Sequence, residues 1–406
     1  MAGELTPGFS WFGRLFKRGG RAAATAKRWP VLQVEVTSRC VMRCVFCPNR
    51  GPGDLSPDLF PTSEGDDLSP GPLPIREGER KVKGLAGQWE CADLPWEVFR
   101  DHIGPHLARF ETVYLQGWGE PLLHPDLWRM AHLAKEAGCR VGFTSCGSLL
   151  LEDAITQIID GRVDILSISF AGASAGVHES LRIGSSFERL TANVRQLAEC
   201  RAAAHSGLFL ELHYLMMQPN IHELPAFVRL AADLGADEVV ATNLTYAFTP
   251  EMDALRVFGP APDPAHLALI AEAEREADRL GIKFRAYPLT ASDAVMECDA
   301  QPTETAFVNC RGEVTPCVYL GMPVIGSVPR YFEGNLHPLA PLSFGRVEDG
   351  FMAAWEGRTR RAFNGFFAAR RTASYSALMF AGTGGDAGEL PAPPEPCQHC
   401  YKMWGC

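Results

Sequence analysis

Short apolar or alternating runs trade places with amphipathic ones along most of the chain. The runs over 32–37, 112–116, 140–144, 163–169, 208–215 and 238–243 are rich in β-branched or aromatic residues and predict strands. Between them, Leu127, Met130, Ala131 and Ala134 share one helical face, and Phe187, Leu190, Val194 and Leu197 share another. A last long helix is predicted over 263–281, with Asp263 as N-cap and Leu267, Ile270, Ala271 and Ala277 at helical spacing. Six strands alternating with helices predict an α/β fold of parallel βα units. With right-handed crossovers such a series curls into a full or partial barrel, here a partial (βα)6 TIM-like barrel. Ligands in such a fold belong at the C-terminal ends of the strands, where the βα loops gather.

Three stretches break the rhythm. Residues 1–30 form an arm in which Phe9, Trp11, Phe12, Leu15 and Phe16 lie among basic residues. A membrane-surface helix and an arm packed on the main body both suit that composition. Residues 51–90 carry Pro52, Pro57, Pro61, Pro70, Pro72 and Pro74 among glycines and acids, directly after a cysteine group. A lid and plain disorder are the two readings of so long a loop. After Tyr287 helical periodicity weakens until about Phe351, which places a domain boundary near 290. The Gly-, Ala- and Pro-rich stretch 372–396 reads as a linker. The division is therefore an arm (1–30), a barrel (31–289) and a small Cys-rich domain (290–406).

Composition narrows the class. Of the 406 residues, 46% are hydrophobic and 21% charged, which excludes a chain disordered as a whole. No apolar run reaches 18 residues, so no transmembrane helix is expected. Lys17, Arg18, Arg21, Lys27 and Arg28 are not followed by an apolar core, which argues against a secretory signal. A net charge of −10 argues against nucleic-acid binding. The 13 cysteines are odd in number and partly in tight groups, which suggests a cytoplasmic protein that binds metal through thiolates rather than a disulfide scaffold.

The strongest motif is Cys40-x3-Cys44-x2-Cys47, at the C-terminal end of the first predicted strand. Structural zinc wants four protein ligands, and most iron–sulfur clusters take four cysteines. Three local thiolates leave one position for something else; a zinc knuckle with a distant fourth ligand is the alternative. In this setting the sequence resembles the radical S-adenosylmethionine (SAM) enzymes. The resemblance implies that the three cysteines hold a [4Fe–4S] cluster whose fourth iron is chelated by SAM, and that Phe46 lies near the adenine. The segment 116–123, with Gly117-Trp118-Gly119-Glu120-Pro121, is similar to the family's Gly-Gly-Glu-Pro stretch, which receives the SAM amino group; Trp118 replaces the first glycine of the strict form. Physically, glycine permits close backbone approach and an acid pairs with ammonium. Ser169 and Arg182 match family positions near the SAM carboxylate or ribose. Thr144-Ser145-Cys146-Gly147 resembles a family stretch with Asn where Cys146 stands. His213 and Met217 are either pocket-lining or core.

A second cysteine set follows. Cys298 and Cys317 flank a tight hairpin around Gly312, and Cys397-x2-Cys400-x5-Cys406 closes the sequence. Four thiolates here make either a cluster site or structural zinc. The arrangement resembles the SPASM or twitch extensions of radical SAM enzymes. Its truncated spacing implies one auxiliary [4Fe–4S] cluster rather than two, held by Cys298, Cys317, Cys397 and Cys400, with Cys406 or Cys310 able to replace one of them. Cys91, Cys139 and Cys200 read as buried small residues.

The resemblance implies an enzyme that cleaves SAM to a 5′-deoxyadenosyl radical and abstracts hydrogen from a substrate. A peptide or protein that is oxidised or cross-linked is the leading substrate class. Oxidation of a small molecule or cofactor precursor comes second. Flavodoxin or ferredoxin would supply the electron. A non-catalytic electron-transfer or zinc scaffold is the alternative of a different class; it would need neither an open iron nor the neighbourhood of Glu120 and Ser169.

Overall fold

The computed structural model describes residues 28–49, 88–292, 295–380 and 390–406. The expected arm and the 51–90 loop lie outside these residues except for 28–30 and 88–90. Six parallel strands stand close to where periodicity puts them: β1 Trp29–Val34, β2 Phe110–Leu115, β3 Arg140–Ser145, β4 Ile165–Phe170, β5 Phe209–Met216 and β6 Glu238–Asn243. They lie side by side in chain order.

The strands alternate apolar and polar faces, and this alternation builds the two layers. Leu32, Val34, Val113, Leu115, Val141, Phe143, Leu166, Ile168, Leu210 and Leu212 form one buried core with the helices. That core takes Leu127, Met130, Ala131 and Ala134 of α1 (Leu127–Glu136) and Ile155 and Ile158 of α2 (Glu152–Asp160). It also takes Leu190, Val194 and Leu197 of α4 (Phe187–Ala203), which follows α3 (Ala175–Leu181). The helices α5 (Leu224–Asp233) and α6 (Pro264–Leu280) pack on each other, and Asp263 caps α6 by accepting from the Ala265 amide at 2.8 Å.

On the opposite strand face only Val31, Tyr114 and Ile165 make a small apolar group. The rest is polar. Gln116 accepts from Thr144 at 2.8 Å, and Glu211 meets Ser167 at 2.7 Å and His213 at 3.1 Å. A mostly polar face opposite a mostly apolar, helix-covered one leaves polar groups available to a ligand.

The sheet does not stop at the predicted boundary near 290. A seventh parallel strand, β7 (Lys283–Ala286), extends one edge. At the other edge β8 (Thr305–Val308) pairs in parallel with β1, followed by antiparallel β9 (Glu313–Thr315) and β10 (Gly345–Arg346). The sheet thus has ten strands and two open edges, and the Cys-rich region is joined to the barrel through β1. The hairpin between β8 and β9 turns at Gly312, whose φ of +78° suits glycine. Helix α7 (Phe351–Trp355) and helix α8 (Arg358–Phe380) follow. The latter runs into the predicted linker, because Ala and Ser at 373–377 continue a helix readily once Phe363 and Phe367 anchor it in the core. No helix among the described residues is long and apolar enough to cross a membrane.

Candidate active site

Cys40, Cys44 and Cys47 sit in the loop leaving β1, on the C-terminal side of the sheet. The loop is pinned from several sides. Arg39 pairs with Asp93, Ser38 donates to the Glu90 carbonyl at 2.7 Å, and Asn49 donates to the Ser38 carbonyl at 2.7 Å. Arg43–Cys44 pairs antiparallel with Arg182–Ile183. This pairing brings the Arg182 guanidinium within 3.9 Å of Cys44 Sγ and 5.4 Å from the Phe46 ring centroid. The Nε of Arg182 is buried without a hydrogen-bond partner among the described residues. Burial pushes the Cys40 thiol well above its usual range, and the neighbouring Cys44, Glu120 and Cys47 push it further. Three thiolates cannot share this loop without positive charge to compensate them.

The Gly117–Pro121 segment leaves β2 and lies against the cysteine loop. A Cβ on Gly117 would stand 2.4 Å from Glu35 Cγ, and one on Gly119 would stand 2.3 Å from the Thr37 carbonyl oxygen. Protein packing alone therefore requires glycine at both positions. Glu120 is buried. It accepts from the Cys146 amide at 2.7 Å, the Ser145 hydroxyl at 2.9 Å and the Leu122 amide at 3.2 Å, while its own amide donates to the Arg39 carbonyl at 2.8 Å. It ties β2, β3 and the cysteine loop into one unit, and burial raises its pKa above the usual carboxylate value. Cys146 packs with Val41, Met42 and Cys44. Ser169 ends β4 in register with His213 on β5, so His213 stands beside it, while Met217 is core.

The second group gathers four cysteines. Burial and then the Asp299 carboxylate raise the Cys298 thiol well above its usual range, and Cys397, Cys317 and Cys400 push it further. Burial likewise lifts Cys317 to about 11. Two of the sequence candidates stand apart. Cys406 is buried against the Trp404 carbonyl, in the field of Arg256. Cys310 donates its amide to Glu35 at 3.2 Å. Cys91 and Cys200 are exposed rather than buried, while Cys139 is buried as expected. Among the described residues no three His, Cys, Asp or Glu side chains close around a single metal ion. A cluster asks for a looser arrangement, with its thiolates on separate irons.

Sequence reasoning missed the groups that join the two cysteine sets. Glu35 is fully buried at the end of β1 and accepts from the Trp118 amide at 2.8 Å as well as from Cys310. Burial lifts its pKa to about 7. Trp118, the departure from the strict motif, packs against Trp89, Tyr246 and Tyr319 with ring centroids 6.0, 6.2 and 5.8 Å away. Asp299 and Lys402 form an ion pair at 2.7 Å. Asp299 and Lys402 stand one and two residues from a cysteine, whereas Glu35 has no such signal.

A parallel α/β sheet with a three-cysteine loop at the end of its first strand, and four more cysteines gathered beside the same rim, defines a SAM-dependent iron–sulfur enzyme class. The Radical SAM superfamily pattern matches residues 34–208, and the SPASM iron–sulfur cluster-binding domain matches 298–401. The chain belongs to the radical SAM superfamily, with a SPASM domain at its C-terminal side, and such enzymes carry a [4Fe–4S] cluster, SAM and auxiliary iron–sulfur chemistry. It is 23% identical over 330 residues to the tungsten-containing aldehyde ferredoxin oxidoreductase cofactor-modifying protein of Pyrococcus furiosus, covering 79% of each chain. It is 23% identical over 234 residues to the PqqA peptide cyclase of Rhodopseudomonas palustris, covering 57% of this chain and 51% of that one. The chain thus spans about half the length of that cyclase. The fold is similar to Streptococcus suis SuiB bound to S-adenosylmethionine, with a TM-score of 0.56, 12% identity and coverage of 84% of this chain and 68% of that one.

Proposed function

We propose that the chain is a peptide-modifying radical SAM enzyme that oxidises or cross-links its substrate. The observation that carries this is the placement of two separate thiol groups, Cys40/Cys44/Cys47 and Cys298/Cys317/Cys397/Cys400, at one rim of the sheet with Trp118 between them. The donor set fits the cofactors. Three thiolates would repel one another and need a cationic group, and Arg182 Nε beside Phe46, which has no hydrogen-bond partner among the described residues, leaves a guanidinium available to a carboxylate. In this reading Cys40, Cys44 and Cys47 hold the SAM-binding cluster, and Cys298, Cys317, Cys397 and Cys400 hold one auxiliary cluster. When bound and reduced, the first cluster supplies the electron that cleaves SAM to a hydrogen-abstracting 5′-deoxyadenosyl radical.

The chain's own residues seat and shield. Phe46 offers a ring face to the adenine, Arg182 and Ser169 receive the carboxylate and ribose side, and the backbone of 117–120 faces the amino group. Glu120, already accepting three hydrogen bonds, acts chiefly by fixing that backbone against the cysteine loop. The polar strand face with Ser167, Glu211 and His213 orients substrate polar groups, and the Trp118 aromatic group excludes water between the two sites. Residues 31–289 form the SAM part and 290–406 the auxiliary part. The electron donor is a flavodoxin or ferredoxin, and the setting is cytoplasmic.

The peptide class draws support from the likeness to the peptide cyclase. A second reading, oxidation of a small molecule or cofactor precursor, is favoured by the cofactor-modifying protein, which the chain matches over a larger share of its length. Incubation of the loaded enzyme with SAM, reductant and candidate peptides separates them: loss of two hydrogens or a new cross-link in a peptide, seen by mass spectrometry, supports the first. Turnover confined to non-peptide precursors supports the second.

A further inference from the structure

Each of the three turns that carry the second cysteine group also sends a polar side chain into one buried cluster. Asp299 follows Cys298, Tyr319 stands two residues after Cys317, and Lys402 two residues after Cys400. Lys402 Nζ donates to both Asp299 oxygens, at 2.8 and 2.7 Å, and lies 5.6 Å from the Tyr319 ring centroid. The barrel side closes the cluster: Tyr287 donates to Asp299 at 3.0 Å, and Thr245 Oγ1 is 2.7 Å from the Tyr319 hydroxyl. The Lys402 and Asp299 side chains keep only 17% and 14% of their exposure. Burial opposes the lysine charge, yet Asp299 and the two tyrosines hold its pKa above the ordinary value.

The two charges do not fall evenly on the cysteines. Lys402 acts on Cys317 and Cys400. Asp299 acts first on Cys298. Arg330, donating to the Pro396 carbonyl at 2.7 Å, adds a second cation toward Cys397 and Cys400. Lys402 and Arg330 thus set cations, and Asp299 and the exposed Glu395 anions, around the four thiols. Net charge and hydrogen bonds to the sulfurs are the levers by which a protein sets a cluster's potential.

Resting on the reading of Cys298, Cys317, Cys397 and Cys400 as an auxiliary cluster site, we propose that Lys402 and Asp299 are opposed electrostatic controls of that cluster's reduction potential, Lys402 raising it so that it accepts an electron and Asp299 lowering it. Neither residue is a cluster ligand; both act on the cluster through space.

The test is a potentiometric titration followed by electron paramagnetic resonance on the full-length reconstituted protein, with iron and sulfide counted. Lys402→Met, Lys402→Arg and Asp299→Asn are compared with the parent. Lys402→Met is expected to shift the auxiliary midpoint negative and Asp299→Asn to shift it positive. Lys402→Arg is expected to leave it near the parent's, and the midpoint of the Cys40/Cys44/Cys47 cluster is expected to hold in all three. Unchanged auxiliary midpoints in loaded Lys402→Met and Asp299→Asn, or shifts of the same sign, would overturn the proposal. Loss of auxiliary iron from both would overturn it too, because the pair would then be a structural pin; if only one loses iron, the sign of the other decides. A parent that binds a single cluster fails differently, by removing the auxiliary site itself.

Discussion

Trp118 donates its indole N–H to the carbonyl of Val318 across 2.9 Å, joining the segment after β2 to the residue that follows Cys317. The same tryptophan's amide donates to Glu35. One residue thus locks the barrel's SAM-side loop, the first strand and the auxiliary cysteine turn into a fixed relation. Because the two thiol groups come from segments more than 200 residues apart, their separation depends on such cross-links rather than on local chain geometry.

Replacing Trp118 by Phe keeps an aromatic ring but leaves the Val318 carbonyl without its donor. The expected loss is about 1 kcal/mol of stability. Thermal unfolding of the loaded protein should show the drop, with the auxiliary site losing iron at lower temperature than in the parent. An unchanged melting profile would mean that the hydrogen bond has no mechanical role.

Gly119→Ala drives a methyl group to 2.3 Å from the Thr37 carbonyl oxygen and 2.6 Å from that of Arg39. Both are backbone atoms, so relief requires the cysteine loop itself to shift. Overpacking of this kind costs about 1–3 kcal/mol, and the strain falls on the loop that carries Cys40. Iron bound per chain is expected to fall by the share of the first cluster. Gly207→Ala, where a Cβ meets nothing within 4 Å, serves as the control and should bind iron like the parent.

Glu35 predicts a pH dependence of stability with a definite sign. Burial raises its pKa from the ordinary 4.5 to about 7. Between those values the folded state holds a proton that the unfolded chain has released. Stability therefore falls as pH rises through that window, by about 3 kcal/mol at most, an order-of-magnitude figure. Glu35→Gln removes this contribution. The difference in melting temperature between variant and parent should therefore move in the variant's favour from pH 5 to pH 8. A difference that is constant with pH would show that Glu35 does not titrate in this range.

Much of this was legible in the sequence, and the gaps have physical reasons. The six central strands are long enough for alternation to register, and Glu238–Asn243 falls where its pattern puts it. The edge strands did not announce themselves. Gly345–Arg346 spans two residues and Glu313–Thr315 three, too few for a period of two to show, and they are strands because β8 partners β9 and β9 in turn partners β10. The cysteine loop was legible because three thiols at that spacing have few other uses. Glu35 was not, since a lone acid at the end of a strand has no motif, and its importance lies in Trp118 and Cys310, 83 and 275 positions away. Cys406 looked like a ligand by spacing, but the turn over Tyr401–Trp404 and the left-handed Gly405 (φ +74°) carry its sulfur toward the Trp404 carbonyl instead.

The central claim is that the loop after β1 holds a cluster that cleaves SAM, and formation of 5′-deoxyadenosine tests it most directly. The protein is purified without oxygen, its clusters are restored, and SAM and a strong reductant are added with and without candidate substrates. The account predicts 5′-deoxyadenosine from the parent and none from the Cys40→Ala, Cys44→Ala, Cys47→Ala triple variant, which should still bind the iron of the auxiliary site. Product from that triple variant at the parent's rate would contradict the assignment of the loop, and a fully loaded parent that neither binds nor cleaves SAM would contradict the function.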